Sequence, residues 1–189
     1  REVFTLDKMV SKAVRKVFVH LYKEGWLYQG EKLVNWSPPL QSAISDLEVV
    51  HKDTKGNLYH LVYTVDGSGE KLVIATTRPE TYLGDSAVCV HPDDERYQSL
   101  IGKTITLPII NRQIPIIADP YVYREFGTGV LKVTPAHDFN DYELGKKHKL
   151  EFINILNPDG TLNENAGPFA QLKVQEARKQ IVKQFEDSG

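Results

Sequence analysis

The sequence predicts a mixed α/β protein, predominantly β, with a β-barrel core and peripheral helices. Three observations carry this. Eight short apolar or alternating runs, broken by turn residues, lie between Leu33 and Thr134. Many short strands at close spacing favour a closed or nearly closed barrel over an open sheet. Stripes of apolar residues at helical spacing flank that region on both sides.

The first stripe is Val10, Ala13, Val14, Val17, Phe18, Leu21 and Tyr22, with Lys and Arg on the opposite face. Thr5 or Asp7 can cap its start and Gly25 its end. Residues 1–32 carry seven Lys/Arg against four Asp/Glu, and a solvated helix face explains this better than a nucleic-acid contact. The strands are expected at Leu33–Trp36, Leu47–Val50, Leu58–Val65, Lys71–Thr76, Ala87–Val90, Thr104–Leu107, Ile114–Ala118 and Gly129–Thr134. Lys55-Gly-Asn57 and Asp66-Gly-Ser-Gly69 read as hairpin turns. Helical pieces are expected around Asp93–Leu100 and Asp138–His148, and a last helix over 172–187 with Val174, Ala177, Ile181, Val182 and Phe185 on one stripe. The whole of 1–189 thus reads as one domain, with 1–32 a flanking helical segment.

Of the 189 residues, 41% are apolar and 25% charged, which indicates a globular protein rather than a disordered one. No apolar run reaches membrane-spanning length, and the first residues do not begin a signal peptide. A single cysteine, Cys89, excludes a disulfide framework and a multi-cysteine zinc site. It lies in the run Ser86-Ala-Val-Cys-Val90 and reads as core filler. The cytoplasm is the compartment these features suggest. A formal charge of −2 argues against holding nucleic acid by bulk electrostatics, although a module that handles only a terminal nucleotide need not be basic.

The densest chemistry lies in Gly127-Thr-Gly-Val-Leu-Lys-Val-Thr-Pro-Ala-His-Asp-Phe-Asn-Asp141. Alternation puts Val130, Lys132 and Thr134 on one face of a strand, and Leu131 and Val133 on the other, core-facing side. Asp138 and Asp141, three apart, share a helical face and can be aimed back at the strand's polar side. Both could equally begin a helix, where acids oppose the macrodipole. Upstream, Thr76-Thr-Arg-Pro-Glu-Thr81 could be a plain helix start, with Thr77 as cap, Pro79 in the first turn and Glu80 at the positive end. Arg78 adds a planar donor suited to a phosphate or ribose oxygen. Gly127-Thr-Gly129 more often marks a tight turn than a phosphate cradle, and Phe126 is by default a core residue. His137 lacks a partner at ligand spacing and reads as structural. Trp26 and Trp36 read as anchors of apolar packing.

These same words, with Leu83-Gly-Asp85, His91-Pro-Asp-Asp94, Asn157-Pro-Asp-Gly-Thr161 and Asn163-Glu-Asn-Ala-Gly167, resemble the editing domain (connective peptide 1) of class I aminoacyl-tRNA synthetases for branched aliphatic amino acids. The resemblance covers nearly the whole chain. Lys132 with Thr134 is the valyl pattern: leucyl enzymes typically carry methionine and valine there, and isoleucyl enzymes a histidine at the lysine position. The resemblance implies a β-barrel with peripheral helices, cut from a larger synthetase whose ATP-binding half, with its Mg, lies elsewhere. It implies no cofactor or metal in this domain and a monomer. Its partners would be the rest of the parent and the 3′ end of a valine tRNA carrying misacylated threonine. It also implies site residues: Asp141 as anchor of the substrate ammonium, with Lys132, Thr134 and Asp138 beside it. Thr76, Thr77, Arg78 and Thr81 would bind the terminal adenosine, with Phe126 near the adenine. The rival readings are an isoleucyl- or leucyl-type editing domain and a noncatalytic module for the tRNA end.

Ester hydrolysis needs a positioned water, a stabilised oxyanion and a proton acceptor. With no Gly-x-Ser-x-Gly elbow and no Ser/His/Asp or Cys/His arrangement in view, a covalent intermediate is not expected.

Overall fold

The computed structural model describes residues 2–188. The chain divides into a unit up to Lys32 and a unit from Leu33 onward. The first holds one helix, α1 (Lys8–Lys23), started at Asp7 and followed by Gly25 at φ +77°, a left-handed stop that glycine takes without steric cost. Val14, Val17, Phe18 and Tyr22 of its apolar stripe are all exposed.

The second unit begins with a small hairpin, β1 (Asn35–Ser37) and β2 (Ser42–Ile44). The expected strand at Leu47–Val50 is absent: Ser45 and Glu48 form a capping box that bends Asp46–Glu48 into a 3-10 turn instead. Lys55–Asn57 then lies in an irregular stretch, with no strand before it to make a hairpin. Next come β3 (Tyr59–Thr64) and β4 (Lys71–Thr76), antiparallel and joined through the expected turn, where Gly67 and Gly69 take positive φ. Then follow β5 (Ala87–Val90), β6 (Thr104–Thr106), β7 (Gln113–Ala118) and β8 (Val130–Val133), which build one four-stranded sheet in the order β6-β7-β5-β8. In it β5 runs parallel to β7 and antiparallel to β8. Of the expected helix at Asp93–Leu100, a 3-10 turn at Gln98–Leu100 is all that forms. The helices α2 (Phe139–His148) and α3 (Val174–Ser188) agree with expectation.

No closed barrel forms among the described residues. The β3–β4 hairpin meets the larger sheet by one isolated bridge, Val65↔Ile105, and β4 lies beside β8 without a hydrogen-bonded ladder. Strands of three to six residues run out of partners before the sheet can close on itself. The architecture is therefore mixed α/β with an interrupted wall, and the seam between β4 and β8 is where polar groups collect.

Two apolar clusters hold this arrangement. The larger fills the space between hairpin and sheet with Leu61, Tyr63, Leu72, Ile74, Val88, Val90, Ile105 and Ile116, and includes Val130. The smaller sits on the other side of β8, where Val133 meets Ala87, Cys89, Val122 and Leu144 of α2. Cys89 is fully buried filler, as expected, and its thiol is pushed up to about 12 by burial. The two tryptophans are not core anchors: Trp26 is exposed, and Trp36 donates its indole N–H to the Pro158 carbonyl at 2.8 Å from a half-open position. No described helix is long and apolar enough to cross a membrane.

Candidate functional site

The seam opens into a cleft with a volume of about 230 Å³. Its walls come from four places in the chain: the end of β4 with the turn that follows, Tyr121 between β7 and β8, β8 itself with the residues after it, and the first turn of α2. Eight of the nine residues singled out from the sequence line it: Thr76, Thr77, Arg78, Thr81, Lys132, Thr134, Asp138 and Asp141. Phe126 does not. It is 82% exposed on the loop before β8, so it is neither a core residue nor part of the cleft wall.

The floor is a buried polar network. Alternation on β8 sends Lys132 and Thr134 to the same side as the core residue Val130, inward rather than to solvent. The Lys132 ammonium donates to Asp85 Oδ1 at 3.1 Å and to the Thr134 hydroxyl. Thr134 in turn donates its proton to the same Asp85 oxygen at 2.6 Å. The other Asp85 oxygen accepts from the Tyr63 hydroxyl at 3.0 Å. Asp85 is wholly inaccessible to water. Burial pushes its carboxyl above the ordinary range, against the pull of Lys132 and of the donors around it. The sequence reading quoted Asp85 within a motif and gave it no role. No local signal could have done so, because Asp85 acts through strands 47 residues downstream and 22 upstream.

Gly84 permits this floor. A Cβ on it would stand 2.9 Å from the Ile153 carbonyl oxygen and 3.2 Å from the Thr134 methyl carbon. Any side chain there would push Thr134 or the Ile153–Ile155 segment away.

Asp141 forms one wall. Its Oδ2 accepts the Thr134 backbone N–H at 2.8 Å, which ties the first turn of α2 to β8. Burial raises its carboxyl to about 6, with Thr134 N–H and Lys132 opposing that rise. Asp138 differs. It is exposed, and its Oδ1 accepts the N–H groups of Asn140 at 2.8 Å and Asp141 at 3.2 Å, so it caps α2 while facing the cleft.

The rim is made by the Thr76–Thr81 turn. Thr76, not Thr77, makes the local side-chain bond, accepting Arg78 N–H at 3.1 Å, and Thr81 donates to the Arg78 carbonyl at 2.9 Å. A short 3-10 helix, Pro79–Gly84, does start here with Pro79 and Glu80 in its first turn, but Arg78 rather than Thr77 stands at its cap. Glu80 is also buried and takes Nε and one Nη of Arg178 from α3, each at 2.8 Å. Thr77 stays exposed, and Arg78 is half-exposed with one nitrogen on the His137 carbonyl at 2.9 Å. His137 lines the cleft, but its Nε2 accepts Ile155 N–H at 3.0 Å. Burial, with Arg78 and Lys132 nearby, lowers it to about 4, so it is neutral at pH 7. Tyr121 and Asn140 also face the cleft, both unremarked in the sequence. Gly129 takes φ +74° where a Cβ would stand 3.0 Å from the Arg124 carbonyl, so Gly127-Thr-Gly129 is a turn with close backbone packing. Among the described residues no group of three or more His, Cys, Asp or Glu side chains is arranged to hold a metal ion.

The chemistry of this cleft is that of a small site for a polar cation: a carboxylate, a fixed ammonium and a hydroxyl, open on one side to an arginine. The model of the tRNA synthetases class I (I, L, M and V) matches residues 1–187, so the chain belongs to that family. The similar proteins are valine–tRNA ligases. That of Bdellovibrio bacteriovorus is 66% identical over 96% of this chain and 20% of its own length. Those of Syntrophotalea carbinolica and Bacillus subtilis are 57% and 56% identical over the whole chain and 21% and 22% of their own. The chain thus spans about a fifth of the relatives' length. The valyl pattern read from Lys132 and Thr134 agrees with these relatives. Among solved structures, a ternary complex of Agrobacterium radiobacter K84 LeuRS with tRNA and LeuAMS matches 97% of this chain and 32% of its own. Its TM-score is 0.53 at 16% identity, a likeness of fold.

Proposed function

We propose that this chain is the editing hydrolase of a valine–tRNA ligase, and that it removes threonine wrongly esterified to the terminal ribose of tRNA(Val). The observation that carries the reading is the pairing, in one cleft, of Asp141 with the buried Lys132–Thr134–Asp85 network. Threonine and valine have nearly the same shape, so an apolar synthetic pocket separates them only about a hundredfold, a figure long established for valyl enzymes and not obtained from this chain. A second site must then recognise the hydroxyl.

A threonyl ester brings a free ammonium and a side-chain hydroxyl. Asp141 spends one oxygen on Thr134 N–H and has the other for the ammonium. Thr134 has already given its own proton to Asp85, so its hydroxyl meets a substrate as an acceptor. Lys132 uses two of its three protons on Asp85 and Thr134 and has a third to donate. Donor and acceptor together match a substrate hydroxyl and leave both groups unpaired over valine's methyl, which is costly in a buried site.

Water attacks the ester carbonyl carbon, the bond to the ribose oxygen breaks, and that oxygen takes a proton as threonine leaves. Cys89 is buried and its thiol protonated at pH 7, so it is no nucleophile. Orientation supplies most of the acceleration, with the free neighbouring ribose hydroxyl assisting proton transfer. Exposed Thr77 and half-exposed Arg78, which keeps only one nitrogen on the His137 carbonyl, take the terminal ribose and phosphate, with Asp138 completing the polar rim. Phe126 offers the adenine a stacking face from outside the cleft. The ATP and Mg of the parent enter no step here. The tRNA end and the remainder of the parent are the partners this reading requires, and the chain acts as a monomer.

The test is incubation of the chain with threonyl-tRNA(Val), scored as threonine released beyond spontaneous hydrolysis. Release far above the control is expected; release equal to it overturns the reading.

A further inference from the structure

We infer that Tyr63 is a positioning residue for hydroxyl recognition, although it does not line the cleft. The inference deepens the editing reading and rests on it. Tyr63 lies on β3, fully buried in the larger core among Leu61, Val65, Leu72 and Ile74. Packing alone would be satisfied by phenylalanine. Its hydroxyl, however, does not go to a backbone carbonyl but to Asp85 Oδ2. The division of labour across that carboxylate is what matters. Oδ1 holds the two cleft residues Lys132 and Thr134, while Oδ2, among the described residues, takes its hydrogen bond from Tyr63 of the core.

A carboxylate is free to turn about its Cβ–Cγ bond, and turning by a quarter would carry Oδ1 away from both cleft groups. The Tyr63 hydroxyl fixes that rotation from behind. It also satisfies the oxygen that would otherwise sit unpaired in a dry core and favour taking up a proton. A protonated or rotated Asp85 holds Lys132 less firmly and no longer sets the direction of the Thr134 hydroxyl. The chain Tyr63–Asp85–Lys132/Thr134 therefore runs from the wall of the core to the specificity surface as one satisfied network, whose members act together.

Tyr63→Phe removes one oxygen and conserves the ring. The first readout is independent of activity: the side-chain ammonium of Lys132, observed by nitrogen-15 NMR, should be resolved in the parent chain and exchange-broadened in the variant. An unchanged Lys132 signal overturns the inference. The second readout compares release from threonyl- and 2-aminobutyryl-tRNA(Val), each assayed about 20 °C below the variant's own melting temperature. The threonyl lead should shrink about tenfold, the 2-aminobutyryl rate should hardly change, and in a Lys132→Met background Tyr63→Phe should shrink the lead no further. Equal losses on both esters, or additive losses in the double variant, mean that Tyr63 only supports the fold and overturn the inference. Failure of the parent chain to release threonine counts against the editing reading instead, and the NMR arm still decides whether Tyr63 positions Lys132.

Discussion

The floor and the rim of the cleft use the same types of residue in opposite ways. On the floor, taken together with the wall that Asp141 makes against it, Asp85, Lys132, Thr134 and Asp141 are buried and joined to one another, so each side chain has one geometry. On the rim, Thr77, Arg78 and Asp138 are exposed; Asp138 holds local backbone N–H groups and Arg78 reaches one distant carbonyl, that of His137. A buried ion pair gains little net stability, because desolvation offsets the attraction. What it provides is fixed direction, which suits reading one hydroxyl. An exposed arginine does the converse: Arg78 keeps about half of its side chain in water, open to whatever reaches the rim.

This contrast predicts that floor substitutions change chemistry and specificity while rim substitutions change affinity or stability by small amounts. The largest effect belongs to Asp141. Asp141→Asn should lower threonyl-tRNA deacylation by a hundredfold or more in single-turnover assays. Its stability should hold or rise, because burying the charged form is what raised its carboxyl to about 6. The sign is the reverse of a salt-bridged aspartate. The unfolded group ionises near 3.8 and the folded group near 6, so the native state binds the extra proton and this group's contribution to stability falls as pH rises across that window. The variant should lose that slope in denaturant titrations run from pH 4 to 7. A marked loss of stability at pH 7 would mean that Asp141 is there to hold the helix.

Lys132→Met comes next. The ratio of threonyl to 2-aminobutyryl release should fall by about 10², with the 2-aminobutyryl rate little changed. An unaltered ratio would move hydroxyl recognition elsewhere in the cleft. Third, kcat/KM of the parent chain should fall about tenfold per unit as pH drops below about 6, since the ammonium grip needs Asp141 ionised. A profile flat from pH 5 to 7 would remove that carboxylate from binding.

The rim gives the smallest effects. Arg78→Ala should raise KM several-fold and leave kcat near the parent value, with a shallower salt dependence. Asp138→Ala, which removes the cap of α2, should cost about 1 kcal/mol of stability and alter threonyl selectivity very little. Should Asp138→Ala abolish selectivity as Lys132→Met does, the division between floor and rim fails.

How much of this was legible in the chain depends on how local each feature is. β8 and α2 could be placed from alternation and from acids three apart, because both are patterns within a dozen residues. The β3–β4 hairpin followed from its glycine turn for the same reason. The strand expected at Leu47–Val50 failed because a capping box, a side-chain contest decided over four residues, outweighed an apolar run. Phe126 and Trp36 failed differently: apolar residues are placed by what packs on them, and nothing in the described unit covers Phe126.

The sequence by itself determined which residues carry charge, which strand face is polar, and that Lys132 and Thr134 travel with Asp138 and Asp141. Tertiary structure alone decided that the sheet stays open between β4 and β8, and that Asp85 joins the site. It alone gave Glu80, in the first turn of its 3-10 helix, Arg178 as a partner. The physical reason is range. Periodicity and turn chemistry act over a few residues, whereas a buried carboxylate must find its donors wherever the fold brings them, because leaving it unpaired in a dry core costs more than any local preference can repay.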